Sequence, residues 1–231
     1  MNTFNKPICI IPAKAASKRL KKKNILKLCG KSVINYVIEA AIESNLFSKI
    51  IVSTESDEVK NSILNKKIII HKRENYLAHD PYGVVDVVLD VINNNSSYKN
   101  YNDLCILLPT SPLIESIDIK NVYDYFNSHD FNAVFTLSKN SHSAFRAVTI
   151  KGGKIEPIFK NKILKKSQEL ESTYNINAAI IMLNMEIFLK EKNYFIYPIG
   201  AFTLEEEKAV DIDTSFDFEF ATFLMQKRLS K

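Results

Sequence analysis

The sequence predicts an α/β fold built on a mainly parallel, Rossmann-like sheet, and three observations carry that expectation. Short uninterrupted apolar runs, ICIIPA at 8–13, KIIVST at 49–54 and LCILLPT at 104–110, have the length and composition of strands covered on both faces. Between them lie segments with apolar residues at helical spacing, at 32–44 and 84–92. The alternation of strand and helix is the pattern of βαβ units with right-handed crossovers.

The elements follow in order. The first strand runs into the loop IPAKAASKRLKKKN. Ser32 then stands where it can cap a helix to about Ser44, with Val33, Ile34, Val37, Ile38, Ala41 and Ile42 as its apolar stripe. Strands are expected at 49–54 and 67–70. A helix follows at 84–92, where Asp86 and Asp90 recur at i, i+4 on one face. Next come a strand at 104–110, a helix at 117–129 and a strand at 133–138. There the rhythm breaks. FRAVTIKGGKIEPI at 145–158 reads as a hairpin turned by Gly152 and Gly153. A charged stretch at 160–173, a strand at 178–183, a short helix at 185–192, a strand at 194–199, an acidic stretch and a helix at 216–229 complete the chain. The whole reads as a single domain over 1–231. Residues 139–176 form a small β-rich excursion in a position to make a lid or a subunit contact.

Composition limits the function classes. With 231 residues, 46% hydrophobic and 25% charged, the chain can bury a real core and has the make-up of a globular protein. Five glycines and seven prolines exclude a low-complexity chain. Cys9, Cys29 and Cys105 have no metal-like spacing and two of them sit in apolar runs, so buried thiols in a reducing compartment are expected. His71, His79, His129 and His142 show no metal-like spacing either, and most are expected at the surface or in loops. The opening MNTFNKPICIIPA is too short for the apolar region of a secretion signal. No run approaches the roughly 20 residues that span a bilayer. The expectation is a cytoplasmic protein with no membrane partner.

Net charge is +5, but it is unevenly spread: basic residues crowd the first 31 positions and 205–219 is acidic. The basic residues Lys14, Lys18, Arg19, Lys21, Lys22 and Lys23 stand in one loop directly after a buried strand. In an open α/β sheet, ligands bind outside the carboxyl ends of the strands. Ala13, Ala15, Ala16 and Ser17 let the backbone approach a ligand, with N–H groups free to face phosphate oxygens. Lys14, Lys18, Arg19 and Lys23 neutralise its charge. The loop is either a polyphosphate cradle or a solvated basic turn; the glycines of a Walker A loop are absent. It lacks the extended basic stripe with interleaved aromatics of a nucleic-acid binder.

A wider pattern bears on that choice. IIPAKAASKRLKKKN, GKSVINYVIEAA, VSTESDEV, LLPTSPL and VDIDTSFDFE stand in this order from about Ile8 to Ala221. Together they resemble the cytidylyltransferases that activate sialic acid and related nonulosonic acids such as pseudaminic and legionaminic acid. The resemblance implies a nucleotide-diphospho-sugar transferase fold and an enzyme that joins CTP to a nonulosonic acid, releasing pyrophosphate. It implies Mg²⁺ or Mn²⁺ held by Asp211 and Asp213, whose one-residue separation turns both to one side of an extended segment. Without the resemblance, Asp213 or Thr214 would equally cap the last helix.

By the same resemblance Lys14, Lys23 and Asp211 are catalytic, and Ala13, Lys14, Ser17, Lys23, Asn24, Arg73 and Thr110 hold the nucleotide. Ser111, Arg146, Gln168, Tyr174 and Asn177 hold the sugar, whose carboxylate calls for a cation, Arg146 first. A homodimer is implied, with 139–176 reaching the partner's site. On their residues alone, Arg73 is as readily a surface ion pair, Arg146 an exposed strand residue, and Thr110 and Ser111 part of a turn with Pro109 and Pro112. The chain departs from the family pattern at Lys14 (usually Arg), Ala15-Ala16 (usually Gly-Gly), Leu108 (Gln in sialic acid enzymes) and Ala178 (usually Gly). Open alternatives are a nucleotidyltransferase for 3-deoxy-manno-octulosonate or a sugar phosphate, and a non-catalytic nucleotide-binding relative.

Overall fold

The computed structural model describes residues 6–230, so the first part of the segment read for a secretion signal lies outside the described residues. Along the chain come β1 (Ile8–Pro12), β2 (Lys27–Leu28), β3 (Lys31–Ser32), α1 (Val33–Ser44), β4 (Lys49–Thr54), α2 (Asp57–Ser62) and β5 (Ile69–Lys72). Then follow α3 (Val84–Asn94), β6 (Asp103–Leu107), α4 (Ser116–Asn127), β7 (Ala133–Lys139), β8 (Val148–Lys151) and β9 (Lys154–Pro157). The last elements are β10 (Tyr174–Asn184), α5 (Met185–Glu191), β11 (Ile199–Thr203) and α6 (Ser215–Leu229).

Seven strands form one sheet in the order β11-β7-β10-β6-β1-β4-β5. All neighbours are parallel except β10, which is antiparallel to both β6 and β7. The chain steps outward from β1 to β4 and β5, then returns to β6 on the other flank of β1. That reversal is the switch point at which open α/β sheets form a crevice.

Alternation along each strand feeds two cores. Cys9, Ile11 and Ala13 of the first strand and its exit, with Cys105 and Leu107, pack with α1 and α4 on one face. Ile8, Ile10, Leu104 and Ile106 pack with α3 and α5 on the other. Both faces are covered, which is why these strands read as unbroken apolar runs. A third cluster joins Leu28 and Val33, at the β2–β3 hairpin, to Leu113, Ile212 and the inner side of α6. All three cysteines are free; Cys9 and Cys105 are buried side by side, and burial pushes the Cys9 thiol well up.

Several boundaries differ from expectation for local reasons. Ser32 does stand at the start of α1, but its hydroxyl accepts from the Asn35 side chain instead of a backbone N–H. The third strand begins at Ile69, because the Asn65 side chain and carbonyl hold Lys67 and Ile68 in a turn. Pro198 has no N–H to offer a ladder, so the strand expected at 194–199 is displaced to Ile199–Thr203. The strand expected at 178–183 is longer, and the sheet reclaims both ends of the excursion. Tyr174, Asn175 and Ile176 pair with Lys139, Ser138 and Leu137 before a bulge at which Ala178 takes a φ of 52°. The hairpin expected at 145–158 is β8–β9, with Gly152 and Gly153 at positive φ. Helix α2 was not anticipated.

Gly200 of β11 is fixed by its neighbours. A Cβ there would stand 2.6 Å from Phe131 and 2.9 Å from Val134. Overpacking of this kind costs about 1–3 kcal/mol. Gly200→Ala should lose stability on that scale in urea unfolding with an unchanged m-value, and a variant as stable as the parent would show that Phe131 moves freely.

Candidate nucleotide-binding site

Six segments leave the carboxyl edge of the sheet and meet over the switch point. From the first strand comes the loop 13–24, from β4 Glu55, from β5 Arg73, from β6 Leu108–Ser111, from β7 the excursion, and after β11 the segment 204–213. Four of them, the loop, Arg73, the β6 exit and Asp211, enclose a cleft of about 250 Å³ lined by Pro12, Lys14, Lys23, Asn24, Arg73, Thr110 and Asp211, with a wall from Leu77 to Val87.

The loop is shaped by side chains. Lys22 takes a left-handed φ of 57°, and the buried Asn24 returns its amide to the Lys14 carbonyl at 2.8 Å. Lys14 and Lys23 line the cleft, whereas Ser17 does not. The N–H groups expected to face phosphate are largely engaged. Ala13 donates to the Ser53 carbonyl at 2.9 Å, Ser17 to Ala15 at 2.9 Å, and Ala15 to the Glu55 carboxylate at 2.7 Å. Here the loop meets a ligand with lysines more than with its backbone. Glu55 was missed in the sequence; its signal is its place immediately past the end of a buried strand.

Segment 204–213 brings in the carboxylates. Ile212 is fully buried in the third core and donates its N–H to the Thr110 carbonyl at 2.9 Å. Asp211 and Asp213 stand to either side of it. The Thr110 hydroxyl bonds the Asp211 carboxylate, while the other oxygen, Oδ1, is buried and makes no hydrogen bond within the chain. Asp213 is held by Lys23 Nζ and by the Arg19 guanidinium, each at 2.7 Å. Thr214 caps α6 in a reciprocal capping box with Asp217, which leaves the Asp213 carboxylate to Lys23 and Arg19. Lys208 fastens the segment from below, reaching Glu115 at 2.8 Å and Asp118 at 2.9 Å at the head of α4.

Arg73 is 4% exposed, so it is not a surface ion pair. Its guanidinium donates to the Ser53 carbonyl at 2.6 Å and lies 3.7 Å from Glu55. Burial lowers its proton affinity, opposed by Glu55 and Asp90. Beneath it, His71 Nδ1 meets the Ser53 hydroxyl at 3.1 Å and Nε2 faces Asp90 at 3.5 Å; burial lowers the imidazole's pKa against the pull of Asp90.

The sugar candidates are dispersed. Ser111 is buried and does not line the cleft. Asn177 lies in the β10 bulge, where its oxygen accepts from Thr136 at 2.7 Å, and the adjoining Ala179 carbonyl accepts from Leu108 N–H. Tyr174 is 46% exposed at the start of β10. Arg146 sits outside the cleft, in a polar hollow of the excursion formed by 139–143 and 167–173, bonded to the Lys165 carbonyl at 2.7 Å. It ends a short turn, Ala144–Arg146, rather than lying on a strand, and Gln168 is exposed in the same excursion.

A folded chain pairs nearly all its buried polar groups. At this edge six do not: Asn24 Oδ1, Glu55 Oε2, Arg73 Nε, Ser111 Oγ, Asn177 Nδ2 and Asp211 Oδ1 make no hydrogen bond within the chain. Among the described residues, no group of three or more His, Cys, Asp or Glu side chains converges as a metal site.

Sheet order, switch point and cleft are those of the nucleotide-diphospho-sugar transferase fold. The fold is similar to that of CMP:2-keto-3-deoxy-manno-octonic acid synthetase in complex with CTP, with a TM-score of 0.74 at 15% identity over 97% of this chain and 100% of that one. The sequence profile described as Cytidylyltransferase matches residues 8–230, and the chain belongs to that family. It is 36% identical over 217 residues to the N-acylneuraminate cytidylyltransferase of Streptococcus agalactiae serotype III, covering 92% of this chain and 52% of that protein. It is 30% identical over 224 residues to the pseudaminic acid cytidylyltransferase of Campylobacter jejuni, covering 95% and 96%. The chain spans about half the length of the Streptococcus relatives it matches. Among the described residues no helix is long and apolar enough to cross a membrane.

Burial raises the Asp211 carboxyl above the usual range, and the charge of Asp213 adds to it, against the Thr110 hydroxyl and Lys23. The folded-state pKa exceeds the unfolded one, so the acid form's contribution to stability is present at low pH and is lost as pH rises through the folded value. Asp211→Asn should therefore melt above the parent at pH 7 and converge with it as pH falls toward about 4. A variant that melts below the parent at pH 7 would show that the charged carboxylate is compensated.

Proposed function

We propose that the chain is a CTP-dependent cytidylyltransferase that activates a nonulosonic acid, giving the CMP-sugar and pyrophosphate. The observation that carries this reading is the cluster of unpaired buried polar atoms around Lys14, Lys23 and Asp211 at the switch point. The relatives named for N-acylneuraminate and pseudaminic acid support the substrate class.

The sugar's anomeric hydroxyl attacks the α-phosphorus, its proton is lost, and the bond to pyrophosphate breaks. Negative charge grows on the leaving phosphates, so catalysis here is positioning and electrostatics. Lys14 and Lys23 meet that charge. Asn24, Arg73 and Thr110 orient the nucleotide, with Ser111 and Asn177 on the flank toward the sugar. Ala13 shapes the cleft behind them, its own N–H being spent on β4. Ser17 supports the loop from outside the cleft.

Asp211 and Asp213 fit Mg²⁺ or Mn²⁺: Asp211 Oδ1 is uncommitted, and both are hard oxygen donors. Asp213, which meets Lys23 and Arg19 here, would be the second carboxylate to hold the cation, and those two basic side chains stand beside it where they can meet phosphate. When bound, the metal neutralises phosphate charge.

The excursion presents Ile150 (75% exposed), Ile155 (69%) and Leu164 (95%) on an isolated hairpin and its neighbour. A lone hairpin is marginal in water, and a two-fold dimer is the commonest way to cover such a face. In this reading Arg146, Gln168 and Tyr174 serve the partner's sugar site, with Arg146 meeting the sugar carboxylate.

Pyrophosphate release should require a divalent cation, favour CTP over UTP, ATP and GTP by at least tenfold, and select one sugar from a panel of 2-keto acid sugars. Equal rates with UTP would favour a plain sugar nucleotidyltransferase, and release with a 3-deoxy-manno-octulosonate alone would move the substrate. Ile150→Asp should convert a dimer to a monomer in light scattering and raise the sugar's KM while leaving that of CTP within about twofold. A parent that is monomeric and fully active would sink the shared site.

A further inference from the structure

The cleft has a wall that the chemistry above does not use. The turn before α3 holds Tyr82, which lines the cleft beside Leu77, Gly83 and Val84 and is 42% exposed. Its ring is braced edge-on by Tyr76, with centroids 5.1 Å apart and planes at 71°. The turn is held at both ends. The Tyr82 N–H donates to the His79 carbonyl at 3.1 Å, and Gly83 N–H is taken by the Asp86 carboxylate at 2.7 Å as α3 begins. Across the cleft mouth, Asp80 of the same turn meets Lys18 of the basic loop at 2.7 Å. An aromatic ring half open to solvent, yet fixed in place on the rim of a cleft, is a surface prepared for a flat apolar face.

Strand order decides which part of a ligand reaches it. Phosphate-binding groups, Lys14, Lys23 and Asp211, lie at the centre of the sheet, over β1 and the neighbouring β6. Ser111 and Asn177, on the flank toward the sugar, lie past β6 and in β10, which neighbours β7. Arg73 and the Tyr82 turn follow β5, at the opposite end of the sheet. A nucleoside triphosphate anchored at the centre, with its acceptor sugar toward β7, must direct its base toward β5. We propose that Tyr82, braced by Tyr76, is the stacking surface for the nucleobase and sets much of the chain's affinity for the nucleoside, as distinct from its phosphates. The proposal rests on the nucleotidyltransferase reading of the cleft.

Stacking a base on an aromatic side chain is worth enough that its loss should weaken binding by about tenfold or more. The chain has no tryptophan, so Tyr82→Trp places its sole indole at the rim. CTP and CMP should quench that fluorescence saturably, and inorganic tripolyphosphate should not. By calorimetry Tyr82→Ala should weaken CTP by about tenfold or more and tripolyphosphate by less than twofold, whereas Tyr82→Phe, which keeps the ring, should hold CTP within about threefold. If the parent binds CTP but Tyr82→Ala binds it equally well, the stacking role is wrong and the cleft reading stands. If Tyr82→Ala weakens CTP and tripolyphosphate alike, the residue supports the loop and not the base. If the parent binds no CTP, the cleft reading itself fails and the proposal goes with it.

Discussion

The donation from Ile212 N–H to the Thr110 carbonyl joins two parts of the site that lie far apart along the chain. One partner ends a central strand; the other lies past the last strand, next to the closing helix. Ile212 is drawn down by burial in the third core, and this sets the carboxylates on either side of it above the cleft. Thr110 then binds Asp211 through its hydroxyl, Lys23 reaches Asp213, and Lys208 pins the same segment to the head of α4. An apolar side chain thus positions a polar site. Without it, Asp211 and Asp213 would be two acidic residues in a solvated loop.

The same division of labour holds across the molecule. A sheet covered on both faces has no polar surface except at its strand ends, so its chemistry is confined to one edge. The unpaired atoms gather there because rigid apolar layers hold them against the cost of lost hydrogen bonds. His71 and Asp90, one layer deeper, extend this polar patch under Arg73. Functional sites commonly keep such local conflicts, which packing elsewhere sustains.

Much of the fold was legible because burial on two faces leaves a plain mark: β1, β4, β6 and β7 are unbroken apolar runs ended by turn residues. The carboxylate pair and the basic loop were legible because their spacing is local. What remained hidden depends on contacts between distant residues. Tyr174–Ile176 look like part of the excursion, since nothing near them in the chain shows that they pair with Leu137–Lys139. The N–H groups of the basic loop look free, since Glu55 is named only by the fold. Asp90 looks solvated, and its place opposite His71 emerges once α3 lies on the sheet. Arg146 carries the right charge, but its place outside the cleft follows from the path of the excursion.

The bond from Ala15 to Glu55 has an effect on how the cleft responds to its medium. A loop that grips phosphate with backbone dipoles acts at short range and is little disturbed by electrolyte. Here that N–H is already taken by a carboxylate, so attraction falls to ammonium groups on long side chains, among them the exposed Lys14 and Lys18. Such charges act over a screening length of about 10 Å at 0.1 M salt, shrinking to about 3 Å at 1 M. Under the proposed function, nucleotide capture is therefore tied to the ionic strength of the surroundings, with faster encounter in dilute electrolyte and a weaker hold in concentrated electrolyte.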